Sequence, residues 1–156
     1  MMKHMKQYWL MKSEPSECSI DDVIAMPNQT VAWFGVRNYQ ARNFMRDQMQ
    51  LNDEILFWHS SCSHPGIVGI GKITSDSYPD STQFDPNSPY YDPSSSKESP
   101  RWWLRDVQII RKTNYLSIKT LRTHTSLSSL RVLQKGNRLS ITPIDPQSWG
   151  FIIQLI

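Results

Sequence analysis

Two cysteines, Cys18 and Cys62, are too few for a disulfide framework, and a chain of 156 residues is long enough to bury a core without one. Both thiols are expected to be reduced. No apolar run approaches the roughly 18 residues of a membrane-spanning helix, and Met1 to Lys12 lacks the apolar centre of a signal peptide. These absences predict a soluble, intracellular chain with no membrane partner. The sequence has no GxGxxG turn and no GKS or GKT loop, so Rossmann or P-loop nucleotide chemistry is not indicated and no cofactor is expected. It also lacks internal repeats and any dense tract of one charge.

What is present argues for one folded domain. Hydrophobic residues make up 38% and charged residues 20%, far from the charge-rich, ring-poor balance of a disordered chain, and aromatics reach 11%. The net charge of +3 hides a split. Residues 1 to 100 carry eight Lys or Arg against twelve Asp or Glu, whereas 101 to 156 carry nine against two. Such separation suggests an electropositive surface suited to a polyanion, with a solvated basic face as the plain alternative.

Gln7–Lys12 has the apolar, ring-rich pattern of a first strand, and Ser13-Glu14-Pro15 leads into a loop. Ser19, with Asp22 three residues on, resembles a capping box for a short helix ended by Pro27. From Asn38 to Met49, Ala41, Phe44 and Met45 fall on one side at helical spacing and Arg42 and Arg46 on another, which predicts an amphipathic helix with a basic stripe. Strands are expected over Glu54–Trp58, Gly66–Ile73, Trp102–Lys112 and Arg138–Pro143. Two short serine-capped helices are expected over 117–123 and 126–134, and a last helix over Ser148–Ile156 behind Asp145-Pro146. Between Thr74 and Arg101, eight of 28 residues are Ser, five Pro and four Asp, so regular structure is improbable. Tyr78, Phe84, Tyr90 and Tyr91 in that stretch predict a long loop packed back on the domain rather than a solvated linker.

His59-Ser-Ser-Cys62-Ser-His64 is the densest group of reactive side chains. Its H-x2-C-x-H spacing matches no standard zinc pattern, so no metal is expected. It carries no GxSxG elbow or cysteine-protease signature either, and a polar turn with His59 bonded to backbone is the simpler reading. The more pointed feature is rings interleaved with polar and basic residues: Trp33 to Tyr39, Trp58-His59-Ser60 and Arg101-Trp102-Trp103. Flat rings stack on nucleobases, and Asn, Ser and backbone groups read a base edge. Trp9, Trp58 and Trp149 are expected in the core.

Tyr8-Trp-Leu-Met-Lys-Ser-Glu-Pro15, Trp33 with Gly35-Val-Arg-Asn-Tyr-Gln-Ala-Arg-Asn43, His59-Ser-Ser-Cys62 with Pro65-Gly-Ile67, and the loop ending Pro100-Arg-Trp102 together resemble the EVE domain family, in order and over essentially the whole chain. The resemblance implies an α+β, PUA-like fold: a curved, partly closed β-barrel with short peripheral helices, related in shape to YTH domains. It implies a single EVE domain over 7–156 behind a flexible start over 1–6. It also implies a non-enzymatic reader of a modified nucleobase, 5-methylcytosine, 5-hydroxymethylcytosine or N6-methyladenine, in DNA or RNA, placed in the cytoplasm, or in the nucleus if the source is eukaryotic. Within those motifs, residue chemistry assigns Ser13, Trp33, Val36, Asn38, Tyr39, His59, Ser60 and Trp102 to the base pocket. The phosphate backbone falls to Lys12, Arg37, Arg42, Arg46 and Arg101. Two alternatives stand beside the reader: an enzyme acting on a modified base through His59, Ser60 and Cys62, and a protein-interaction module using the aromatic loop.

Overall fold

Strands that carry apolar side chains on both faces need a cover on both sides. In the computed structural model, which describes residues 5–156, the strands are β1 (Tyr8–Ser13), β2 (Thr30–Ala32), β3 (Glu54–His59), β4 (Gly66–Ile73), β5 (Tyr78–Pro79), β6 (Trp103–Leu104), β7 (Asp106–Ser117) and β8 (Ile141–Ile144). Between them lie the helices α1 (Pro15–Cys18), α2 (Ile20–Ile24), α3 (Tyr39–Asn43), α4 (Ile118–Arg122) and α5 (Pro146–Ile153). β1 sends Trp9 and Met11 into one core and Leu10 into another, and β3 divides Ile55 and Phe57 from Leu56 and Trp58 in the same way. The first core is closed by Ile20 and Val23 of α2 and by Ala41, Phe44 and Met45; the second by Leu121, Trp149 and Ile152 of the C-terminal helices. Trp9, Trp58 and Trp149 are all buried, as expected.

Six strands form one mixed sheet in the order β2-β7-β4-β3-β1-β8, in which only β1 and β3 run parallel. Register shifts at Phe57/Trp58, Ile67/Gly69 and Ile70/Gly71 interrupt the β3–β4 and β4–β7 ladders. Bulges of this kind bend a strand and raise its twist, and here they curl the sheet into the PUA-like half-barrel that the sequence leads one to expect.

Several boundaries differ from expectation. Pro15 starts α1 instead of a loop, because proline is accommodated at the first helical position. The strand expected over 102–112 is broken at Arg105, whose side chain turns inward to the Met45 and Ser75 carbonyls, and β7 then runs on to Ser117. The helix expected over 126–134 is two 3-10 turns, separated by extended backbone at Leu130. The helix expected over 38–49 is α3 followed by a wide π-turn that brings both Phe44 and Met45 inward. β8 begins at Ile141 rather than Arg138, and α5 spans Pro146–Ile153 with Asp145 accepting from Ser148 N–H. Residues 74–101 do pack back, with Asp80 and Gln83 buried and β5 paired to β6. Of the expected flexible start, residues 1–4 lie outside the described residues. Among the described residues no helix is long and apolar enough to cross a membrane.

Candidate nucleic-acid site

Parallel pairing brings the C-terminal ends of β1 and β3 to one edge of the sheet, and Ser60 N–H donates to the Ser13 carbonyl at 3.0 Å. Beyond this rung lies a cleft of about 620 Å³, within the usual size of ligand sites. Lys12 and Ser13 reach it from β1, Glu14, Glu17 and Cys18 from the first helical turn, and Ser60 and Ser61 from the end of β3. The segment from Val31 to Asn38 forms a second side, Tyr90 a third, and Arg138 with Ser140 closes it next to β1, where Lys12 N–H donates to the Ser140 carbonyl at 2.8 Å.

Three rings bound the cleft. Trp33 is buried and meets Phe57 edge-on at 5.4 Å, so it presents little more than an edge. Phe34 is 39% exposed and stands edge-to-face with Tyr90 at 5.8 Å. Between them Gly35 adopts φ +82°, and a Cβ there would lie 2.8 Å from the Tyr90 ring, so glycine lets ring and backbone touch. Burial, then a hydrogen bond to the Glu17 carboxylate, pushes the Tyr90 phenol up to about 12, which keeps it a donor at neutral pH.

Arg37 fastens this segment to the 74–101 loop. Its Nε and Nη2 donate to the Tyr90 carbonyl, Nη2 also to Thr82 Oγ1, and Nη1 to Asp80 Oδ2 and the Val36 carbonyl, at 2.7–3.2 Å. A guanidinium has five N–H donors, and these contacts engage all of them, so none is left for the phosphate expected there. Asp80 is buried and also accepts from Gly35 N–H at 2.8 Å.

Of the expected base-pocket residues, Ser13, Trp33, Val36, Asn38 and Ser60 come together around the cleft, and Lys12 and Arg37 lie beside them. Asn38 caps α3 through Oδ1, leaving Nδ2 without a partner among the described residues. Ser13 Oγ donates to the Cys18 carbonyl. Burial draws the Lys12 ammonium below the ordinary lysine value. Tyr39 and Trp102 do not line the cleft: they stack on each other at 4.8 Å, with the Trp102 indole N–H on Asp92 and the Arg42 guanidinium 4.7 Å above Tyr39. Arg42 also donates to the Arg101 carbonyl, and Arg46 pairs with its neighbour Asp47, so this cationic strip flanks the site rather than facing into it.

His59 is likewise outside the lining. Its Nε2 accepts from Ile20 N–H at 3.1 Å, which requires the neutral ring, and burial holds its pKa below the ordinary histidine value. Cys62 is half-buried and does not line the cleft, and His64 is bonded to Ser63. Among the described residues no three His, Cys, Asp or Glu side chains converge to hold a metal ion. Among the lining residues that escaped assignment from sequence are Glu17, Phe34, Tyr90 and Arg138. Rings in the Ser/Pro/Asp-rich stretch signalled Tyr90, and the ring-polar alternation at 33–39 contained Phe34. Nothing local marked Glu17 or singled out Arg138 among the cations of the final third.

Comparison with known proteins places this chain in a described group. A family model for the EVE domain matches residues 7–155. Human thymocyte nuclear protein 1 is 40% identical, over 99% of this chain and 76% of the human protein. The crystal structure of human THYN1 protein in complex with 5-methylcytosine-containing DNA superposes with a TM-score of 0.89 at 41% identity, covering 96% of this chain and 97% of that one. A Pseudomonas putida protein superposes equally well, with a TM-score of 0.89 at 44% identity over 95% of this chain and 98% of its own. A YTH domain from Zygosaccharomyces rouxii, crystallised with N6-methyladenosine RNA, shares the fold alone, with a TM-score of 0.52 at 12% identity over 96% and 86% of the two chains.

Proposed function

This chain belongs to the EVE domain family, and from that membership we propose that it is a non-enzymatic reader that takes a modified nucleobase, of the 5-methylcytosine class, into the cleft at the ends of β1 and β3. The observation that carries the reading is the cleft itself: about 620 Å³, walled by Trp33, Phe34 and Tyr90, with Asn38, Ser13 and Ser60 supplying polar atoms. The human relative of the same fold, crystallised with 5-methylcytosine DNA, supports the ligand class. Lys12 and Arg138 hold the phosphates of the extruded nucleotide, and Arg37 holds the wall. Supporting a binding rather than a catalytic role, His59 gives its lone pair to Ile20 N–H and Cys62 lies off the cleft. The site of action is wherever modified nucleic acid resides, the nucleus in a eukaryotic cell.

Extruding a base costs a few kcal/mol, and ring stacking returns about 1–3 kcal/mol per ring. Burying one methyl adds about 0.8 kcal/mol, roughly fourfold in affinity. Modest preference on top of backbone affinity is therefore expected. Titration of matched oligonucleotides carrying cytosine, 5-methylcytosine or 5-hydroxymethylcytosine should give several-fold tighter binding of a modified form. Phe34→Ala, at an exposed ring, should weaken the modified oligonucleotide about tenfold and narrow that preference. Equal affinity for all three in the wild type would sink the reading.

A further inference from the structure

One wall of the cleft carries an acceptor that the rest of the protein holds in place. Glu17, in α1, accepts through Oε1 from the Tyr90 hydroxyl, across a sequence separation of 73 residues. Tyr90 is itself anchored three ways. Its ring lies against Gly35 and makes a T-shaped contact with Phe34, and its carbonyl takes two hydrogen bonds from Arg37. A hydroxyl fixed like this orients the Glu17 carboxylate and leaves Oε2 with no partner among the described residues. Lys12 and Arg138, elsewhere in the lining, have no carboxylate within ion-pair distance among the described residues. The cleft thus separates two polar demands. Its cations take the negative charge of a nucleotide, while an ionised carboxylate offers only acceptor sites and must be met by a donor.

Resting on the reader function proposed above, we infer that Glu17 is a specificity-determining residue: its free carboxylate oxygen accepts an N–H from the exocyclic amino group of the bound base and turns away keto bases. Cytosine presents an N4 amino donor where thymine presents an O4 acceptor. Thymine is the informative competitor because it carries the same 5-methyl group as 5-methylcytosine. It fits the rings equally well and differs along the edge facing Glu17, with O4 in place of the N4 amino group and a protonated N3. Charge-assisted hydrogen bonds are the strong ones, and loss of one costs about tenfold or more.

The experiment compares single-stranded oligonucleotides that differ at one position, cytosine, 5-methylcytosine or thymine, so that no duplex has to open. The wild type should bind 5-methylcytosine about tenfold or more tightly than thymine. Glu17→Gln, an exposed isosteric change whose amide can donate or accept, should bring the two within about threefold, with 5-methylcytosine still preferred over cytosine. Tyr90→Phe keeps the ring and releases the carboxylate, so it should reduce the 5-methylcytosine to thymine ratio while Glu17 stays in place. A Glu17→Gln protein that keeps the full ratio overturns the inference, as does a wild type that binds thymine as tightly as 5-methylcytosine; both leave the reader function standing. A wild type that does not prefer 5-methylcytosine to cytosine removes the reader function and the inference with it.

Discussion

Arg37 shows how far a residue's type can differ from its use. Its place between Val36 and Asn38 in a ring-rich, polar motif makes a phosphate contact a natural expectation, yet its five donors all end on Val36, Asp80, Thr82 and Tyr90. Those partners stand up to 53 residues away, and no local spacing encodes them. Removing the guanidinium leaves the buried Asp80 with only its bonds from Gly35 and Thr82. Loss of one member of such a pair typically costs about 3–5 kcal/mol, and the remaining donors place Arg37→Ala near the lower end. Urea unfolding should show a lowered midpoint with an unchanged slope. Arg37→Lys should recover less than half of the loss, since an ammonium cannot reproduce the planar fork. A wild-type midpoint in Arg37→Ala would mean that the clamp carries no stability. Asn38 is the opposite case: its residue type pointed to the base pocket and it lines the cleft, while its Oδ1 caps α3, a position just outside the helix expected to start there.

Elements whose signals are local were legible, and those decided by distant partners were not. The Ser19–Asp22 capping box and the Asp145-Pro146 start appear as written, because each closes its hydrogen bonds within three residues. The break at Arg105 and the division of 126–134 were not legible, since Arg105 answers to carbonyls of Met45 and Ser75 and Leu130 to the second core. One such distant tie joins β3 to α2 through the His59 ring and the Ile20 N–H. It has a pH dependence of definite sign. Burial, foremost, lowers the His59 pKa, Asp21 opposes that and Lys112 adds to it, whereas the unfolded ring titrates near pH 6.5. Below that value the unfolded chain binds the extra proton first. The stability from His59 is therefore complete above about pH 6.5 and is lost as pH falls through the lower folded value. Unfolding free energies of wild type and His59→Gln, measured from pH 7 to pH 5, should draw together as the pH drops. A difference that stays constant would show that the ring does not titrate in this window.

Across the whole molecule, the uneven charge takes on a direction. Of the nine cations after residue 100, Arg105 is buried against carbonyls and Lys112 pairs with Asp21, while Arg138 reaches the cleft beside Lys12. The sequence legibly separated a basic final third from an acidic remainder. It could not say which cation the turn at Gly136-Asn137 and the β1–β8 pairing would bring to the cleft, because that depends on a strand 130 residues earlier. Backbone and base contacts respond differently to salt, which separates them by measurement. Each phosphate neutralised by the protein releases counterion and contributes about 0.7–0.9 to the slope of log affinity against log salt. Arg138→Ala should therefore weaken cytosine and 5-methylcytosine oligonucleotides alike and make that slope shallower by about one contact. Phe34→Ala should show the converse, with a narrowed preference between the two bases and a slope equal to that of the wild type. If Arg138→Ala instead altered base preference at constant slope, Arg138 would belong to the base pocket and the phosphate would lie on other cations of the basic face.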